Sequence, residues 1–419
     1  MIKAISFFKF KPFSIKQIKV LTWWADNSPV KDKNGIIADG AIRSGKTLSM
    51  SLSFVLWAME RYVYQNFGMC GKTIGSFRRN VLFWLKLMLR SRGYKVSEYR
   101  ADNYITIMKN GIMNYFYIFG GKDERSQDLI QGITLAGCFF DEVALMPESF
   151  VNQATGRCSV DGSTFWFNCN PDAPNHWFNI KWIKKHKELG LLYLHFTMDD
   201  NLSLSEKIKE RYRQMYNGVF FDRFIRGLWV LAEGLIYPNT EQAIVPTEER
   251  NYIEYQISCD YGIHNPTCFG LFGLYKGVWY MIKEYYHSGR DTNQPKTDEE
   301  YYRELEQFAG DLPIKRIIVD PSAASFITLI RRKGRFIVRG ADNAVVDGIR
   351  STSAAINIGI IKINDCCNHI QAEFKVYAWD ERASEDKPIK ENDHMCDLLR
   401  YYVYTNKLSL PKQKGLRIK

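Results

Sequence analysis

The chain contains one complete phosphate-loop motif, G-x-x-x-x-G-K-[ST], which begins at Gly40 and ends at Thr47. The apolar run 36–38 stands just before it, and residues 46–63 carry the pattern of a helix that is buried on most of its surface. Strand, loop and helix thus follow in the order that a nucleotide-phosphate site requires. The glycines let backbone N–H groups face the phosphates, Lys46 reaches the β- and γ-phosphates, and the Thr47 hydroxyl can hold Mg²⁺. We therefore predict a nucleotide and Mg²⁺ site with these candidate ligands: Gly40, Ser44, Gly45, Lys46 and Thr47.

A second apolar strand, 137–140, ends in the acidic pair Asp141 and Glu142. A strand that ends in two acids is common at protein surfaces. After a phosphate loop, however, this pattern is typical of the acidic partner motif of ATPases. Asp141 would then position Mg²⁺ through water, and Glu142 would polarise the attacking water.

Length, charge and cysteine usage narrow the class of protein. At 419 residues the chain is too long for one ordinary core, so two domains of about 200 residues are expected. The 57 Lys and Arg against 46 Asp and Glu give a net charge of +11, which favours a polyanionic partner without requiring one. The nine cysteines form no C-x-x-C pair, which argues against a zinc ribbon or a disulfide framework. No apolar run approaches the ~18 residues that span a bilayer, and residues 1–9 are too weakly apolar for a signal peptide, so a soluble intracellular protein is expected.

The first half of the chain alternates apolar runs with helical patterns, as a parallel α/β sheet does. The runs lie near 36–38, 67–70, 112–119, 137–140, 163–169 and 191–197. Residues 202–229 turn helical and highly charged, and 233–251 are turn-rich and acidic, which is typical of a domain boundary. We predict a P-loop ATPase domain over 1–201, a helical connector and linker over 202–251, and a second domain over 252–419.

The second half reads as a strand, a hairpin, a helix, a strand and a final helix. The expected positions are a strand to Asp260, a hairpin of 267–274 and 278–284, a helix near 298–309, and a strand that ends at Asp320. This order is that of an RNase H-type nuclease core, whose acids sit at strand ends and on the last helix. The predicted fold class is therefore α/β throughout, with a P-loop ATPase domain followed by an RNase H-like domain.

Carboxylates stand at the places where such a nuclease would carry them. Two-metal phosphodiester cleavage needs several carboxylates that converge on a pair of Mg²⁺ or Mn²⁺ ions. Asp260 and Asp320 each follow a buried strand, although a lone carboxylate there is mostly a solvated cap. Asp397 lies four residues after Asp393 and three after His394, so on a helix it can share a face with either. Glu284 is a possible fourth acid, and an ordinary strand-end role fits it at least as well.

Together these motifs resemble the large terminase subunit of tailed bacteriophages, a DNA-packaging motor with an N-terminal ATPase and a C-terminal nuclease. The resemblance covers nearly the whole chain. Besides the phosphate loop and the acidic pair, the runs 167–171 and 175–178 look like the coupling segment of the family, and 224–229 with 234–238 looks like the passage that joins its domains. Residues 393–401 are similar to the D-H-x-x-D-x-x-R-Y ending of one branch.

The resemblance implies roles for individual residues. Asn170 would sense hydrolysis, Gln17 would read adenine, and Arg43 would stabilise charge on the transferred phosphoryl group. Some members use an arginine of a neighbouring subunit instead, for which this chain offers three unranked candidates: Arg78, Arg79 and Arg157. The principal ligands of the nuclease metals would be three aspartates with a histidine nearby: Asp260, Asp320, Asp397 and His394.

The resemblance also implies a function and partners. ATP hydrolysis with Mg²⁺ would drive double-stranded DNA into the procapsid, and the nuclease would cut concatemeric DNA with Mg²⁺ or Mn²⁺. The expected partners are the small terminase subunit and the portal protein, with a monomer in solution, a ring on the portal, and the host cytoplasm as location. The basic tail 407–419 would dock the portal or touch DNA, or it is simply solvated.

Two other classes of function stay open at the level of sequence. A helicase or translocase without nuclease activity would share the first half, but it should carry a second ATPase-like domain after residue 233. A non-catalytic DNA-binding assembly factor would use ATP only to gate assembly, and its distal acids would be structural.

Overall fold

The computed structural model describes residues 11–262, 265–289, 292, 294–383 and 385–408. The chain divides into two compact units. The first contains the chain up to Glu210 together with Phe221–Leu231, and the second contains Arg211–Phe220 and the chain from Ala232 onward. In the described ranges, every helix is too short or too polar to cross a membrane. The first ten residues and most of the basic tail lie outside the described residues.

Within the described residues, the first unit is built on an eight-stranded sheet with the order β3-β4-β5-β2-β6-β7-β1-β8. Its strands are β1 (Gly35–Gly40), β2 (Asn66–Gly71), β3 (Lys95–Tyr99), β4 (Tyr104–Lys109), β5 (Ile112–Gly120), β6 (Gly137–Phe140), β7 (Thr164–Asn168) and β8 (Leu191–Phe196). All neighbours from β5 to β8 in this order pair in parallel, whereas β3, β4 and β5 form an antiparallel extension. The predicted parallel α/β sheet is confirmed.

Helices cover this sheet and close the unit. They are α1 (Ile15–Thr22), α2 (Lys46–Arg61), α3 (Ile74–Phe77), α4 (Phe83–Ser91) and α5 (Glu148–Gly156). Helix α6 (Glu206–Met215) begins in this unit and ends in the second, and α7 (Gly218–Phe221) belongs to the second unit up to Phe220. A single helical turn of π type, Asp222–Arg226, follows α7. The core is rich in aromatic side chains: Phe54 of α2 packs edge-on against Phe67 and against Trp166 with ring centroids 5.8 and 5.2 Å apart. This packing fixes α2, and therefore the loop before it, on the sheet.

The described part of the second unit forms a seven-stranded sheet with the order β14-β13-β10-β11-β12-β15-β9. Its strands are β9 (Ile244–Val245), β10 (Glu254–Asp260), β11 (Thr267–Tyr275), β12 (Val278–His287), β13 (Ile314–Val319), β14 (Val338–Gly340) and β15 (Ile361–Asn364). Strands β10, β11 and β12 are antiparallel, and β13 and β14 continue in parallel from β10. This is the RNase H-type core that the sequence predicts, extended by β15 and β9 beside β12.

Five helices flank that sheet in the described ranges of the unit. They are α8 (Asp298–Ala309), α9 (Ala324–Lys333), α10 (Val345–Asn357), α11 (Asn368–Phe374) and α12 (His394–Thr405). Helix α12 lies on the sheet with Tyr402 stacked on Phe272 of β11 at 3.7 Å between ring centroids. The Ser258 hydroxyl of β10 donates to the carbonyl of Leu398 at 3.0 Å. These contacts bring the first turn of α12 to the end of the sheet where β10 and β13 finish.

Candidate functional sites

The phosphate loop joins β1 to α2 through backbone conformations that favour glycine. Gly40 has φ +120° and Gly45, directly before α2, has φ +86°. A Cβ on Gly40 would lie 2.0 Å from the carbonyl oxygen of Phe196, so only glycine fits there. Arg43 also has a positive φ, +58°, and its carbonyl accepts from the side-chain amide of Asn201 at 2.7 Å. The N-terminus of α2 thus points its free N–H groups into the loop, where an anion would be stabilised.

Lys46 is buried and its ammonium group is fully engaged within the loop. It donates to the carbonyls of Gly40 and Ala41 at 3.0 and 2.7 Å, to the Ser44 hydroxyl at 3.2 Å, and to the Asn170 amide oxygen at 3.2 Å. Burial lowers the pKa of Lys46 to about 8, although several nearby anionic groups oppose the shift. The lysine therefore reaches the predicted coupling residue directly.

The acidic pair meets the loop across an inserted strand. Because β7 lies between β6 and β1, Asn168 at the end of β7 stands between Asp141 and the loop. Asp141 Oδ1 accepts from the Thr47 hydroxyl and from Asn168 Nδ2, both at 2.9 Å. The Asn168 amide oxygen in turn accepts from the backbone N–H of Glu142 at 3.0 Å, where Glu142 has φ +59°. Burial raises the pKa of Asp141, an effect that a bound cation would reverse.

Gln17 is brought to the same loop from α1. Its side chain is buried and completes a capping box with Ser14. A Cβ on Gly45 would lie 2.2 Å from Gln17 Nε2, so the amide packs directly on the end of the phosphate loop. The residue predicted for adenine recognition therefore lies against the phosphate loop.

The base of the loop is tied to the segment Phe221–Leu231. Asp39, the residue before Gly40, is fully buried, and its oxygens pair with Trp229 Nε1 at 2.9 Å and with His195 Nδ1 at 3.1 Å. The Ile42 N–H donates to the carbonyl of Phe224 at 2.9 Å. None of these contacts was predicted, because an acid before a phosphate loop carries no sequence signal of its role.

The residues between the two predicted coupling runs, 167–171 and 175–178, also contact the segment Phe221–Leu231. Arg223 is buried, lies 3.0 Å from Asp172, and donates to the carbonyl of Val230 from Nε at 3.0 Å. Asp172 stands two residues after Asn170. The first unit thus contains a continuous path of contacts from Lys46 to the segment Phe221–Leu231.

The three arginines proposed as alternatives to Arg43 differ in their surroundings. Arg78 donates to the Asn103 amide oxygen at 3.2 Å and lies 3.4 Å from Glu98. Arg79 is exposed, and Arg157 is half-buried just after α5. Arg79 has the most accessible side chain of the three, and the geometry within one chain does not rank them further.

The second site forms where β10 and β13 end side by side. Cys259 pairs with Val319, so the following residues, Asp260 and Asp320, are neighbours at one edge of the sheet. His394 Nδ1 at the start of α12 lies 2.9 Å from Asp260 Oδ2. Burial raises the pKa of Asp260; the contact with His394 opposes this shift, and the charges of Asp397 and Asp320 add to it.

The pKa values of Asp320 and His394 shift in opposite directions at this edge of the sheet. Burial would raise the pKa of Asp320, but hydrogen bonds with Tyr401, Ser322 and Asn343 lower it, the Ser322 N–H lying 2.7 Å from Oδ1. Burial would lower the pKa of His394, but its hydrogen bond with Asp260 raises it. The site therefore holds Asp320 as an anion more firmly than Asp260.

Asp397 is held by two cations. Arg400, buried three residues later on α12, binds it through both oxygens at 3.0 and 2.9 Å. Lys390 Nζ lies 3.1 Å from Asp397 Oδ2 and 3.1 Å from Asp393 Oδ2. The Asp-x-x-Arg spacing could have indicated the first contact, but no sequence signal pointed to Lys390.

Two glutamates near this edge have structural partners. Glu284, the possible fourth acid, accepts from the backbone N–H groups of His369 and Ile370 at 2.7 and 3.3 Å and so caps α11. Glu373, which the sequence analysis missed, accepts from the N–H groups of Met395 and Cys396 at 2.8 and 2.9 Å. Burial raises the pKa of Glu373 to about 7. It holds the first turn of α12, which carries His394 and Asp397.

The donor chemistry of the second site fits a hard divalent cation. Carboxylate oxygens are the ligands that Mg²⁺ and Mn²⁺ prefer, and Asp260, Asp320 and Asp397 are close enough for their charges to interact. Across the described part of the chain, however, no group of three or more His, Cys, Asp or Glu side chains stands ready in ligand geometry. Both oxygens of Asp397 face cationic side chains here: Oδ1 faces Arg400, and Oδ2 faces Arg400 and Lys390.

Comparisons with known proteins agree with this architecture. Residues 37–244 match the family described as terminase large subunit, T4likevirus-type, N-terminal. The crystal structure of the large terminase from a thermophilic bacteriophage is 60% identical, covers 94% of this chain and 98% of its own, and superposes with a TM-score of 0.90. The same protein in complex with ADP is 60% identical over 94% and 99% of the two chains, with a TM-score of 0.87. The large terminase subunit of Escherichia phage T5 is 26% identical over 134 residues, which is 30% of this chain and 29% of that relative.

A phosphate loop with an acidic partner strand, followed by an RNase H-type unit, defines a P-loop nucleotide-binding protein with a nuclease-like second half. Identity to the thermophilic phage terminase over nearly the full length of both chains narrows this class to one family. The chain belongs to the bacteriophage large terminases.

Proposed function

We propose that this large terminase hydrolyses ATP to move double-stranded DNA into a procapsid and cuts concatemeric DNA in its second half with Mg²⁺ or Mn²⁺. The observation that carries the proposal is the convergence of Lys46, Thr47, Asp141 and Asn170 on one phosphate loop. The large terminase of the thermophilic phage was determined with ADP and with ATP-gamma-S, which supports the nucleotide. We assign ATP hydrolysis to residues 1–201, the connection to 202–251, and DNA cleavage to 252–419.

In the ATPase half, the contact between Lys46 and Asn170 provides the switch. The γ-phosphate of ATP competes for the same ammonium group, so Asn170 is released when ATP fills the loop and is bound again when phosphate leaves. Thr47 and Asp141 hold Mg²⁺ beside the phosphates. Glu142 orients the attacking water, and Arg43 stabilises charge on the transferred phosphoryl group.

The nuclease half uses the edge formed by β10, β13 and α12. Asp260, Asp320 and Asp397 hold Mg²⁺ or Mn²⁺, with His394 beside them. Metal ions bound there would activate water and stabilise the leaving oxygen. The protein fixes the ligands: His394 orients Asp260, Ser322 holds Asp320, and Arg400 holds Asp397. Contacts to the DNA backbone give little sequence selectivity.

We assign two further steps of packaging to partner proteins. A small terminase subunit selects the start of packaging, and the portal protein of the procapsid receives the DNA, in the host cytoplasm. The chain works as a monomer in solution and as a ring on the portal. The RNase H-type strand order of the second unit disfavours a helicase, which would need a second ATPase-like sheet there.

A paired assay tests both halves on the full chain. Supercoiled plasmid is incubated with Mn²⁺ or Mg²⁺ while phosphate release from ATP is followed. Asp260→Ala should abolish cutting and retain ATP turnover, whereas Glu142→Gln should lose turnover and retain cutting. Glu254→Gln, at the other end of β10, and Glu148→Gln, on α5, are the matched controls and should behave as the wild type.

Each alternative predicts a different result. Wild-type turnover by Glu142→Gln would remove Glu142 from its role. Turnover without cutting under either metal would favour the assembly-factor or translocase alternatives, and strand unwinding would single out a helicase.

A further inference from the structure

Asp397 is balanced by two cations of very different mobility. Arg400 is 2% exposed, binds both carboxylate oxygens, and also donates to the carbonyls of Asn343 and Ala344. Lys390 is 50% exposed, and among the described residues its ammonium pairs with Oδ2 of Asp397 and with Oδ2 of Asp393. Arg400 is therefore fixed in the protein interior, whereas the ammonium of Lys390 can move away from Asp397.

Lys390 contacts Oδ2 of Asp397, one of the two oxygens through which Asp397 would hold a metal ion. Asp397 Oδ1 faces the Arg400 Nε and the Tyr377 hydroxyl at 3.0 and 3.5 Å. The Oδ2 atom is shared between Arg400 and Lys390. Because Arg400 is locked in the interior, Lys390 is the group that a ligand exchange at Asp397 can displace.

The placement of Lys390 follows from the hairpin before α12. Trp379 and Pro388 form an antiparallel bridge, and the N–H of Ile389 donates to the carbonyl of Ala378 at 3.0 Å. These bonds fix the backbone just before Lys390. The long side chain of Lys390 then extends over the start of α12, where the buried carboxylates of Asp393 and Asp397 attract its ammonium group.

We propose that Lys390 is a built-in competitor of the nuclease metal at Asp397 and thereby sets the metal affinity of this site. The inference rests on the proposed nuclease function. With Lys390 in place the two aspartates are already neutralised in part, so a divalent ion must displace the ammonium before it can use Asp397. Removing the charge at residue 390 therefore strengthens metal binding.

Metal affinity, rather than cutting, is the decisive measurement. Mn²⁺ is titrated calorimetrically into the nucleotide-free full chain, and the binding that Asp260→Ala abolishes defines the nuclease site. Lys390→Gln should bind Mn²⁺ at this site roughly three- to tenfold more tightly than the wild type, as loss of a nearby unit charge implies. Lys390→Arg should stay close to the wild type. Lys387→Gln, on the same hairpin and exposed, is the charge-matched control and should not change affinity.

The possible outcomes distinguish a failure of the role inferred for Lys390 from a failure of the proposed nuclease function. Unchanged or weaker Mn²⁺ binding by Lys390→Gln, with Asp260-dependent binding intact in the wild type, overturns the competitor role and leaves the nuclease site standing. Equal tightening by Lys387→Gln overturns it too, because the effect would then be general charge. Mn²⁺ binding that does not depend on Asp260 removes the proposed metal site itself and the inference with it.

Discussion

Lys46 combines two requirements at one residue. It must be charged to bind phosphate, yet it is buried, and burial lowers its pKa to about 8 against the ordinary value near 10.5. The loop carbonyls and Asn170 satisfy its N–H groups in the absence of nucleotide, so the site keeps its shape before ATP arrives. The cost of burying this charge is thus offset only in part.

The pH dependence of ATP use follows from that residue. Below pH 8 Lys46 is protonated and kcat/KM for ATP should be flat; above about pH 8 the free enzyme loses the proton, and kcat/KM should fall about tenfold for each further pH unit. Steady-state ATPase rates between pH 6.5 and about 9.5 measure this. A bound phosphate favours the protonated form, so kcat should fall at higher pH than kcat/KM does.

A charge-preserving variant supplies the control for this profile. Lys46→Arg keeps its charge at all these pH values, so its residual ATPase activity should show no decline near pH 8. A decline near pH 8 that persists in Lys46→Arg would assign the profile to another group.

Asp39 connects the phosphate loop to the segment Phe221–Leu231. A fully buried carboxylate needs partners, and two of them are side chains from outside β1: Trp229 and His195. The hydrogen bond with Asp39 raises the pKa of His195, which favours the charged ring beside the acid. Loss of either contact would leave a buried acceptor short of a donor, which typically costs about 1–3 kcal/mol.

At the scale of elements, the π-type turn Asp222–Arg226 and the glycine after it lie against the loop. Gly227 has φ +76°, and a Cβ there would lie 2.8 Å from the Ala41 nitrogen and from His195 Cε1, and 2.9 Å from Gly40 Cα. The phosphate loop and this segment therefore meet backbone to backbone.

Gly227→Ala should damage ATP use, and Gly234→Ala should not. Gly234 has a similar φ, +70°, but a Cβ there meets nothing within 4 Å. Both variants should lose about 1–2 kcal/mol of stability through the left-handed backbone. Only Gly227→Ala displaces the loop, so its kcat/KM for ATP should fall by roughly tenfold to a hundredfold, because small misplacements at a reacting centre are expensive. Equal ATPase activity in the two variants would contradict this contact.

The elements that the sequence predicts are those whose patterns depend on local burial. Strands buried on both faces, such as β1 and β6, read as continuous apolar runs, and the helix predicted near 298–309 is α8, Asp298–Ala309. The sequence analysis missed β3 and β4 because their side chains alternate between core and surface. It also missed β14, β15 and β9, which have only two to four residues each and owe their pairing to neighbouring strands.

The candidate sites show the same limit. Motifs with fixed spacing pointed to Lys46, Thr47 and Asp141, and in the structure the hydroxyl of Thr47, next to Lys46 in the chain, donates to Asp141. Contacts that join distant segments had no spacing to reveal them. The position of Asn168 beside Asp141 depends on the insertion of β7 between β6 and β1, and the position of Lys390 depends on the hairpin before α12. The roles assigned to Gln17, Arg43, Asn170 and the nuclease acids stay predictions that mutants must test.

At the scale of the whole molecule, the proposed DNA motor needs a path by which ATP turnover is passed on to DNA. Within the first unit, Lys46 binds Asn170, and Asp172 binds Arg223, which belongs to the segment Phe221–Leu231. The chain belongs to the second unit on both sides of this segment, over Arg211–Phe220 and from Ala232 onward. Energetic coupling between sites commonly amounts to about 1–3 kcal/mol, so one such contact can carry a large share of it.

Asp172→Asn should uncouple turnover from packaging. The substitution removes the charge that Arg223 meets and leaves Lys46, Thr47 and Asp141 untouched, so DNA-stimulated phosphate release should stay within about threefold of the wild type. Packaging of DNA into purified procapsids should fall roughly five- to hundredfold. Glu148→Gln, which breaks the exposed pair of Glu148 with Lys181 in the same unit, should change neither. If a coupling contact is lost, packaging should fall while phosphate release is maintained. An equal loss of both activities in Asp172→Asn would instead show that this ion pair supports the ATP site itself.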